Sequence, residues 1–131
     1  MNRDQILNAK RVVIKIGSST LTGKAGEQLD KSQVKKIVDV VATLREAGKE
    51  VVLVSSGAIA AGLAPLGMTV RPKDLATQQA AASVGQGLLI SYYSEELSQR
   101  SLLASQVLLT IDDVVRRAHY QNAQRTLFKL L

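Results

Sequence analysis

Two short apolar segments rich in β-branched residues stand out in the first half of the chain. Arg11–Ile16 (RVVIKI) is followed at once by Gly17, and residues 50–54 (EVVLV) are followed by Ser55-Ser56-Gly57. Runs of this length, bounded by glycine and serine, are typical of buried strands that stop at tight turns. We therefore predict two strands, each with a glycine-containing turn at its carboxyl end. Residues 18–26, rich in Ser, Thr and Gly, are predicted to form a loop.

A helix is predicted between these two strands. Asp30, with Gln33 three positions later, has the spacing of a capping box, and Gly48 is a typical residue at a helix end. A strand, a helix and a second strand within about forty residues indicate a βαβ unit, whose strands are parallel and joined by a right-handed crossover. The apolar positions that recur at helical intervals are Val34, Ile37, Val38, Val41 and Leu44.

Helical patterns dominate the rest of the chain. The turn after the second strand leads into an Ala-rich helix (AIAAGLAPLGM), and Pro72 is predicted to lie in the first turn of a long helix. Within that helix Gly85 and Gly87 are predicted to permit close packing, since each glycine costs helix stability. Residues 102–110 are a candidate third strand, and residues 122–131 a last helix. The pattern predicts an α/β fold with a mainly parallel sheet.

Composition narrows the class of protein. The chain has 131 residues, enough for one domain, and 46% of them are hydrophobic but only 3% aromatic. Lys and Arg number 17 against 11 for Asp and Glu, yet the basic residues are dispersed and stacking aromatics are nearly absent. A nucleic-acid partner is therefore disfavoured. A small anionic molecule, such as a nucleotide or a dicarboxylic acid, is an equally good partner for the positive net charge.

Other classes are excluded or disfavoured by what the sequence lacks. With no Cys, disulfides and thiolate chemistry are excluded. The first eleven residues contain no apolar stretch of the signal-peptide kind, and the apolar runs are shorter than a membrane span. We expect a soluble cytoplasmic protein with no membrane partner.

Lys15 is the first candidate for a functional site. It lies inside an apolar strand, and strand alternation places it on the same side as Gly17, at the carboxyl end where open α/β sheets bind ligands. A lysine there needs an anion nearby, and the loop beginning Gly17-Ser18 is suited to surround phosphate oxygens with backbone N–H groups. A lysine that reaches from an edge strand into solvent is an equally good interpretation of the spacing alone.

Known phosphate-binding motifs do not match this loop. From Gly17 to Lys24 it is one residue too long for a Walker A motif, and Ala25 stands where the motif needs Ser or Thr. A GxGxxG fingerprint is also missing after the strand. We identify no metal-ligating residues.

The second candidate site is Ser55-Ser56-Gly57, where a strand runs into a helix. Free N–H groups at a helix start favour an anion, and this site would suit a carboxylate as well as a phosphate. The alternative is that Ser56 is simply an N-cap. The segment is not GxSxG, and the single histidine, His119, is interpreted as a surface or capping residue, so a hydrolase triad is disfavoured. Asp112-Asp113 is interpreted as a helix start.

Taken together, these segments resemble the amino acid kinase family, and within it the members that phosphorylate glutamate. The resemblance covers essentially the whole chain. It rests on VVIKIGSSTLT, VVLVSSGAIAAG, the Q-x-x-A-A-x-V-G-Q-G-x-L pattern of residues 78–89, and QVLLT at residues 106–110 followed by Asn122-Ala123. The second and third of these motifs are the more specific. The resemblance implies a three-layer αβα fold with a mainly parallel sheet, of which this chain carries the N-terminal strands and helices.

The resemblance also implies an activity: transfer of the γ-phosphoryl group of ATP, with Mg²⁺, to the γ-carboxylate of L-glutamate, the first step of proline biosynthesis. Lys15 matches the lysine that binds the ATP phosphates and neutralises charge during transfer, with Gly17 and Ser18 beside it. Ser56 matches the position that binds glutamate, with Gly57 and Ser55 beside it. A homo-oligomer is expected.

The resemblance is to the first part of these enzymes, residues 1–131 corresponding to the glutamate-binding side. Family members continue with an Asp and an Asn of the glutamate site, a nucleotide-binding half with a second lysine, and often a PUA domain. We therefore expect this polypeptide alone to have little or no activity. Two alternatives stay open: a kinase of another acceptor in the family, such as acetylglutamate, uridylate or carbamate, and a non-catalytic fragment that self-associates.

Overall fold

The predicted βαβ unit forms the centre of the molecule. A computed structural model describes residues 7–22 and 28–131. Strands β1 (Arg11–Ile16) and β2 (Glu50–Ser55) pair in parallel, with Arg11 opposite Glu50 and Ile16 opposite Ser55. Helix α1 (Ser18–Leu21) and helix α2 (Lys31–Glu46) lie between them in the chain. The α/β class and the parallel pairing predicted from the sequence are confirmed.

Helix α2 begins and ends where its sequence signals predict, but the capping box itself is not formed, because the Asp30 N–H donates to the Leu21 carbonyl at 2.8 Å rather than to Gln33. The Asp30 carboxylate accepts a hydrogen bond from the N–H of Ser32 at 2.8 Å, and hydrogen bonds with Ser32 hold the pKa of Asp30 below its usual value. Just beyond the last turn, Gly48 has a φ of +74°, which glycine adopts without strain. The face turned to the core carries Val34, Ile37, Val38, Val41 and Ala42.

The sheet is covered by this core on one face. Ile14 and Ile16 of β1 and Val51 and Leu53 of β2 pack against the buried cluster built on α2 and the later helices. On the opposite face Val13 is 62% exposed and Val54 is 49% exposed. Alternation along the strands therefore separates a covered face, which ends at Ser55, from an open face, which carries Lys15.

Four further helices follow β2. They are α3 (Ala58–Leu63), continued by a 3₁₀ turn (Ala64–Leu66), then α4 (Leu75–Ser98), α5 (Ile111–Val115) and α6 (Arg117–Leu130). Phe128 of α6 reaches the open face of the sheet, where its ring centroid lies 4.7 Å from the guanidinium of Arg11. In the described ranges no helix is both long and apolar enough to cross a membrane.

Helices α3 and α4 cross in near backbone contact. A Cβ built on Gly85 would lie 1.8 Å from the carbonyl oxygen of Ala58, and one built on Gly62 would lie 1.9 Å from that of Ala81. The close packing predicted at Gly85 is confirmed. The same prediction for Gly87 is wrong, because open space surrounds it.

The first turn of α4 also differs from the prediction. The helix starts at Leu75, and the Asp74 carboxylate caps it by accepting a hydrogen bond from the N–H of Thr77 at 2.8 Å. Pro72 lies before the helix, where its carbonyl accepts a hydrogen bond from the Gln78 side chain at 2.9 Å. An aspartate cap therefore replaces the predicted proline start.

Two segments differ in secondary structure from the prediction. Residues 102–110 are not a strand: they pair with no strand of the described sheet, and Leu103 is 97% exposed. A strand needs a neighbour for its backbone groups, and apolar content alone does not provide one. Ser18–Leu21, predicted as loop, forms α1, while residues 23–26 of that predicted loop lie outside the described residues.

The end of the chain is helical, as predicted, with an earlier start. Thr110 and Asp113 form a capping box at α5, which confirms the interpretation of Asp112-Asp113 as a helix start. The last helix begins at Arg117 rather than at residue 122. His119 lies in it, about half exposed, with its Nδ1 3.6 Å from a carboxylate oxygen of Asp113.

Candidate active site

The two loops singled out in the sequence lie side by side at the carboxyl ends of β1 and β2. In the parallel register Lys15 is opposite Val54 and Ile16 is opposite Ser55. One further hydrogen bond continues the ladder past the strands, from the N–H of Ser56 to the carbonyl of Ile16 at 3.0 Å. The backbone of the second loop is thus attached to the residue that precedes Gly17.

Lys15 and Gly17 form the first half of the site. Lys15 is exposed on the open face of the sheet, and its Nζ lies 3.6 Å from the point that a Cβ of Gly17 would occupy. The Ser19 hydroxyl lies 3.9 Å from the same point. Because Gly17 has no side chain, an ammonium, a hydroxyl and a bare backbone border one small space, a donor set that suits an oxyanion.

The backbone after Gly17 turns tightly. Its carbonyl accepts a hydrogen bond from the N–H of Thr20 at 3.1 Å, and Ser18, at the first position of α1, is half-buried. Sequence reasoning missed this helical turn and with it Leu21, which is fully buried. The sequence did contain one indication of this turn: Leu21 is the single apolar residue in a segment otherwise made of Gly, Ser and Thr.

Ser55, Ser56 and Gly57 form the second half. Gly57 is the N-cap of α3 with a φ of +109°, and no side chain caps this helix, so the interpretation of Ser56 as an N-cap is wrong. Ser55 and Ser56 are both exposed, but the Ser55 Oγ lies 3.0 Å from the Tyr93 Oη of α4. Ser56 is instead held through its backbone, whose N–H donates to Ile16. The two serines of the motif therefore face different surroundings.

Leu21 packs beneath both halves of the site. A Cβ on Gly57 would lie 3.1 Å from Leu21 Cδ1, so the second loop rests directly on the helical turn that ends the first. This contact, together with the bond from Ser56 to Ile16, gives the two loops a fixed relative position.

That Tyr93 contacts the site through Ser55 was not predicted from the sequence. Tyr93 is 5% exposed, and burial raises the pKa of its phenol, an effect that the hydrogen bond with Ser55 partly opposes. One signal could have found it. The buried residues of α4 recur every fourth position, and this stripe continues to Tyr93: Ala81, Gly85, Leu89 and Tyr93.

Comparison with known proteins identifies relatives over nearly the full chain. A family model described as the amino acid kinase family matches residues 10–131. The chain is 60% identical over 129 residues to the glutamate 5-kinase of Thermobifida fusca and 63% identical over 129 residues to that of Salinispora arenicola, covering 98% of this chain in both cases. It is 47% identical over 130 residues to the glutamate 5-kinase of Mycobacterium leprae (strain TN).

The relatives are considerably longer than the sequence compared. The matched residues make up 33% of the Thermobifida fusca protein, 35% of the Salinispora arenicola protein and 35% of the Mycobacterium leprae protein. The chain therefore spans about a third of the length of the curated relatives it matches.

Proposed function

Because this chain belongs to the amino acid kinase family, we propose that it forms the acceptor-binding side of a cytoplasmic glutamate 5-kinase. The proposed reaction transfers the γ-phosphoryl group of ATP to the γ-carboxylate of L-glutamate and yields glutamyl 5-phosphate, the first step of proline biosynthesis. The names of its relatives support this substrate.

The observation that carries the proposal is the adjacency of the two loops. The bond between the Ser56 N–H and the Ile16 carbonyl places the turn after β2 next to Lys15 and Gly17. A phosphoryl acceptor and a nucleotide are both anions, and a kinase must hold them in line while offsetting their repulsion. Two neighbouring strand ends, one with an exposed lysine and one with exposed serines, provide that arrangement.

On the nucleotide side we assign Lys15, Gly17 and Ser18 to the terminal phosphates of ATP. The Lys15 ammonium borders the open space above Gly17, so a phosphate oxygen entering there meets a positive charge and the Ser19 hydroxyl. Charge develops on the transferred group and its leaving oxygen, and fixed donors aimed at it lower the barrier. Lys15 is thus the proposed catalytic residue.

Magnesium would be held chiefly by the nucleotide phosphates and would supply further charge neutralisation. Within residues 7–22 and 28–131 no group of three or more His, Asp or Glu side chains could hold a metal ion. The donors described here are cationic or neutral and suit the phosphates themselves.

On the acceptor side we assign Ser56 to glutamate, with Gly57 and Ser55 beside it. The exposed Ser56 hydroxyl and the bare Gly57 backbone suit a carboxylate that accepts hydrogen bonds. A carboxylate is already ionised at neutral pH, so the acceptor needs no general base to attack phosphorus. The nucleophile in this proposal belongs to the substrate, and the protein contributes alignment and charge.

The proposal is tested on the protein expressed from its full reading frame. Phosphorylation by ATP is measured with L-glutamate, N-acetyl-L-glutamate, carbamate and uridylate as acceptors, and we expect turnover with L-glutamate to be the fastest. Replacement of Lys15 by Met should lower kcat by a factor on the order of 100, because one charged donor to the transition state is lost.

Lys35→Met is the matched control, since Lys35 is exposed on α2. It removes the same charge and should leave kcat near the wild-type value. Faster turnover of another acceptor would overturn the proposed substrate, and equal kcat values for the two lysine variants would overturn the role of Lys15.

A further inference from the structure

A pair of hydroxyl groups, one on a buried tyrosine and one on an exposed serine, connects the middle of α4 with the end of β2. Tyr93 Oη lies 3.0 Å from Ser55 Oγ, and Ser55 Oγ donates to the carbonyl oxygen of Ser56 at 3.1 Å. The phenol belongs to the core and is 5% exposed, whereas Ser56 is exposed in the candidate active site. We call these three groups (Tyr93 Oη, Ser55 Oγ and the Ser56 carbonyl) the hydroxyl relay.

The direction of the relay follows from proton counting. A serine hydroxyl has one proton. Since Ser55 gives its proton to the Ser56 carbonyl, Tyr93 must be the donor to Ser55. An ordinary phenol is protonated through the neutral range, and burial raises the pKa of Tyr93 further, so its hydroxyl can donate.

The relay holds the peptide group between Ser56 and Gly57 from one side. The described residues contain no cis peptide bond, so the N–H of Gly57 is antiparallel to the carbonyl of Ser56. With that carbonyl held by Ser55, the N–H of Gly57 is directed the opposite way, away from the hydroxyl pair. The preceding N–H, that of Ser56, is already bound to Ile16. The relay is thus the second anchor of this turn.

We propose that Tyr93 is a positioning residue for the phosphoryl acceptor, orienting the Ser56–Gly57 peptide through Ser55 without touching the substrate itself. This inference rests on the proposed function, since the Ser56 turn is the assigned acceptor site. Ser55 then acts through its neighbour, and the exposed Ser56 makes the direct contact. Loss of the phenol hydroxyl should weaken acceptor binding and leave nucleotide binding largely unchanged.

The main test is Tyr93→Phe in the full-length protein, which removes one oxygen and keeps the buried ring. We expect KM for L-glutamate to rise about fivefold, the effect of one neutral hydrogen bond, with much smaller changes in KM for ATP and in kcat. Tyr92→Phe is the matched control. Tyr92 is the next residue on the same helix, and its ring packs 4.2 Å from the Lys31 ammonium rather than against the site.

Variants of Ser55 separate positioning from packing. Ser55→Ala should raise KM for L-glutamate to the same extent as Tyr93→Phe, and the double variant should be no worse than either single one, because both break the same relay. Ser55→Thr keeps the hydroxyl and should restore the wild-type KM. Additive effects of the two single variants, or equal effects of Tyr93→Phe and Tyr92→Phe, would overturn the inference.

A readout independent of catalysis keeps the two proposals distinguishable. Amide hydrogen exchange at residues 55–58 should be faster in Tyr93→Phe than in Tyr92→Phe whatever the acceptor is. If the wild-type protein fails to phosphorylate L-glutamate but this difference in exchange is present, the proposed function fails and the relay stands. If turnover is present and exchange does not change, the relay fails alone.

Discussion

At the scale of single residues, the two glycines of the candidate active site are required for different reasons. Gly57 has a φ of +109°, and a Cβ there would come within 3.1 Å of Leu21 Cδ1. Gly17 has an ordinary φ of −80°, and a Cβ there would make only van der Waals contact with the Lys15 ammonium. Backbone strain demands glycine at position 57, whereas space for a ligand explains it at position 17.

This contrast predicts opposite outcomes for two alanine variants. Gly17→Ala should leave the free energy of unfolding unchanged or raise it by up to about 1 kcal/mol, yet lower kcat/KM for ATP, because the methyl group occupies the space beside Lys15. Gly57→Ala should lower the free energy of unfolding by about 1 to 3 kcal/mol. Denaturant unfolding and steady-state kinetics on the full-length protein measure both. A Gly17→Ala enzyme with wild-type kcat/KM would contradict the assignment of this space to phosphate.

At the scale of elements, the crossing of α3 and α4 sets the position of the turn after β2. Gly57 is the N-cap of helix α3, whose backbone touches that of α4 where Gly62 faces Ala81 and Gly85 faces Ala58. The same α4 carries Tyr93 two turns further on. One long helix therefore supports the candidate acceptor site at two points, by direct packing under α3 and by the hydroxyl relay.

Gly85 and Gly87 offer a matched pair for testing the helix crossing. In Gly85→Ala the new methyl group would meet the Ala58 carbonyl at 1.8 Å, a backbone atom, so α3 must move. We expect the free energy of unfolding to fall by about 1 to 3 kcal/mol or more. In Gly87→Ala the new methyl group has no atom within 4 Å. This variant should raise the free energy of unfolding by roughly 1 kcal/mol, because alanine has the higher helix propensity. Equal unfolding midpoints for the two variants in denaturant would show that α3 and α4 do not pack this closely.

At the scale of the whole molecule, the apolar surface is unevenly distributed. The core lies on the α2 side of the sheet, while the open face exposes Val13 and Val54. Exposed apolar side chains also follow α4: Leu103, Leu108, Leu109, Ile111, Val114 and Val115. Surfaces of this kind are normally covered by other parts of a chain or by a second subunit.

The 131-residue polypeptide expressed by itself should therefore associate. Light scattering is expected to show an average mass that rises with concentration, because burying the open sheet face removes apolar surface from water. Val13→Lys places a charge on that face and should lower the average mass. The control is Val40→Lys, at a valine of α2 that is similarly exposed, at 54%. This variant should leave the average mass unchanged. A wild-type polypeptide that stays monomeric over the whole concentration range would contradict the prediction.

The elements near the site were predictable because their signals are local. The strand at Arg11–Ile16, the cap at Asp30 and the helix end at Gly48 depend on residues within a few positions of one another, and all three are confirmed. Local signals were less reliable where a neighbouring element decides the outcome. Residues 102–110 have strand composition, but no strand lies beside them among the described residues.

The sequence by itself determined where β1 ends and, to within one residue, where β2 ends, since Ser55 was predicted in the turn and lies in the strand. Parallel pairing then placed Lys15, Gly17, Ser56 and Gly57 at one edge of the sheet. Only the tertiary structure decided how that edge is held. Ser55 and Tyr93 are 38 positions apart, and Leu21 packs against Gly57 across two elements. Such contacts depend on how α1 and α4 pack on the sheet, which periodicity within a single element does not encode.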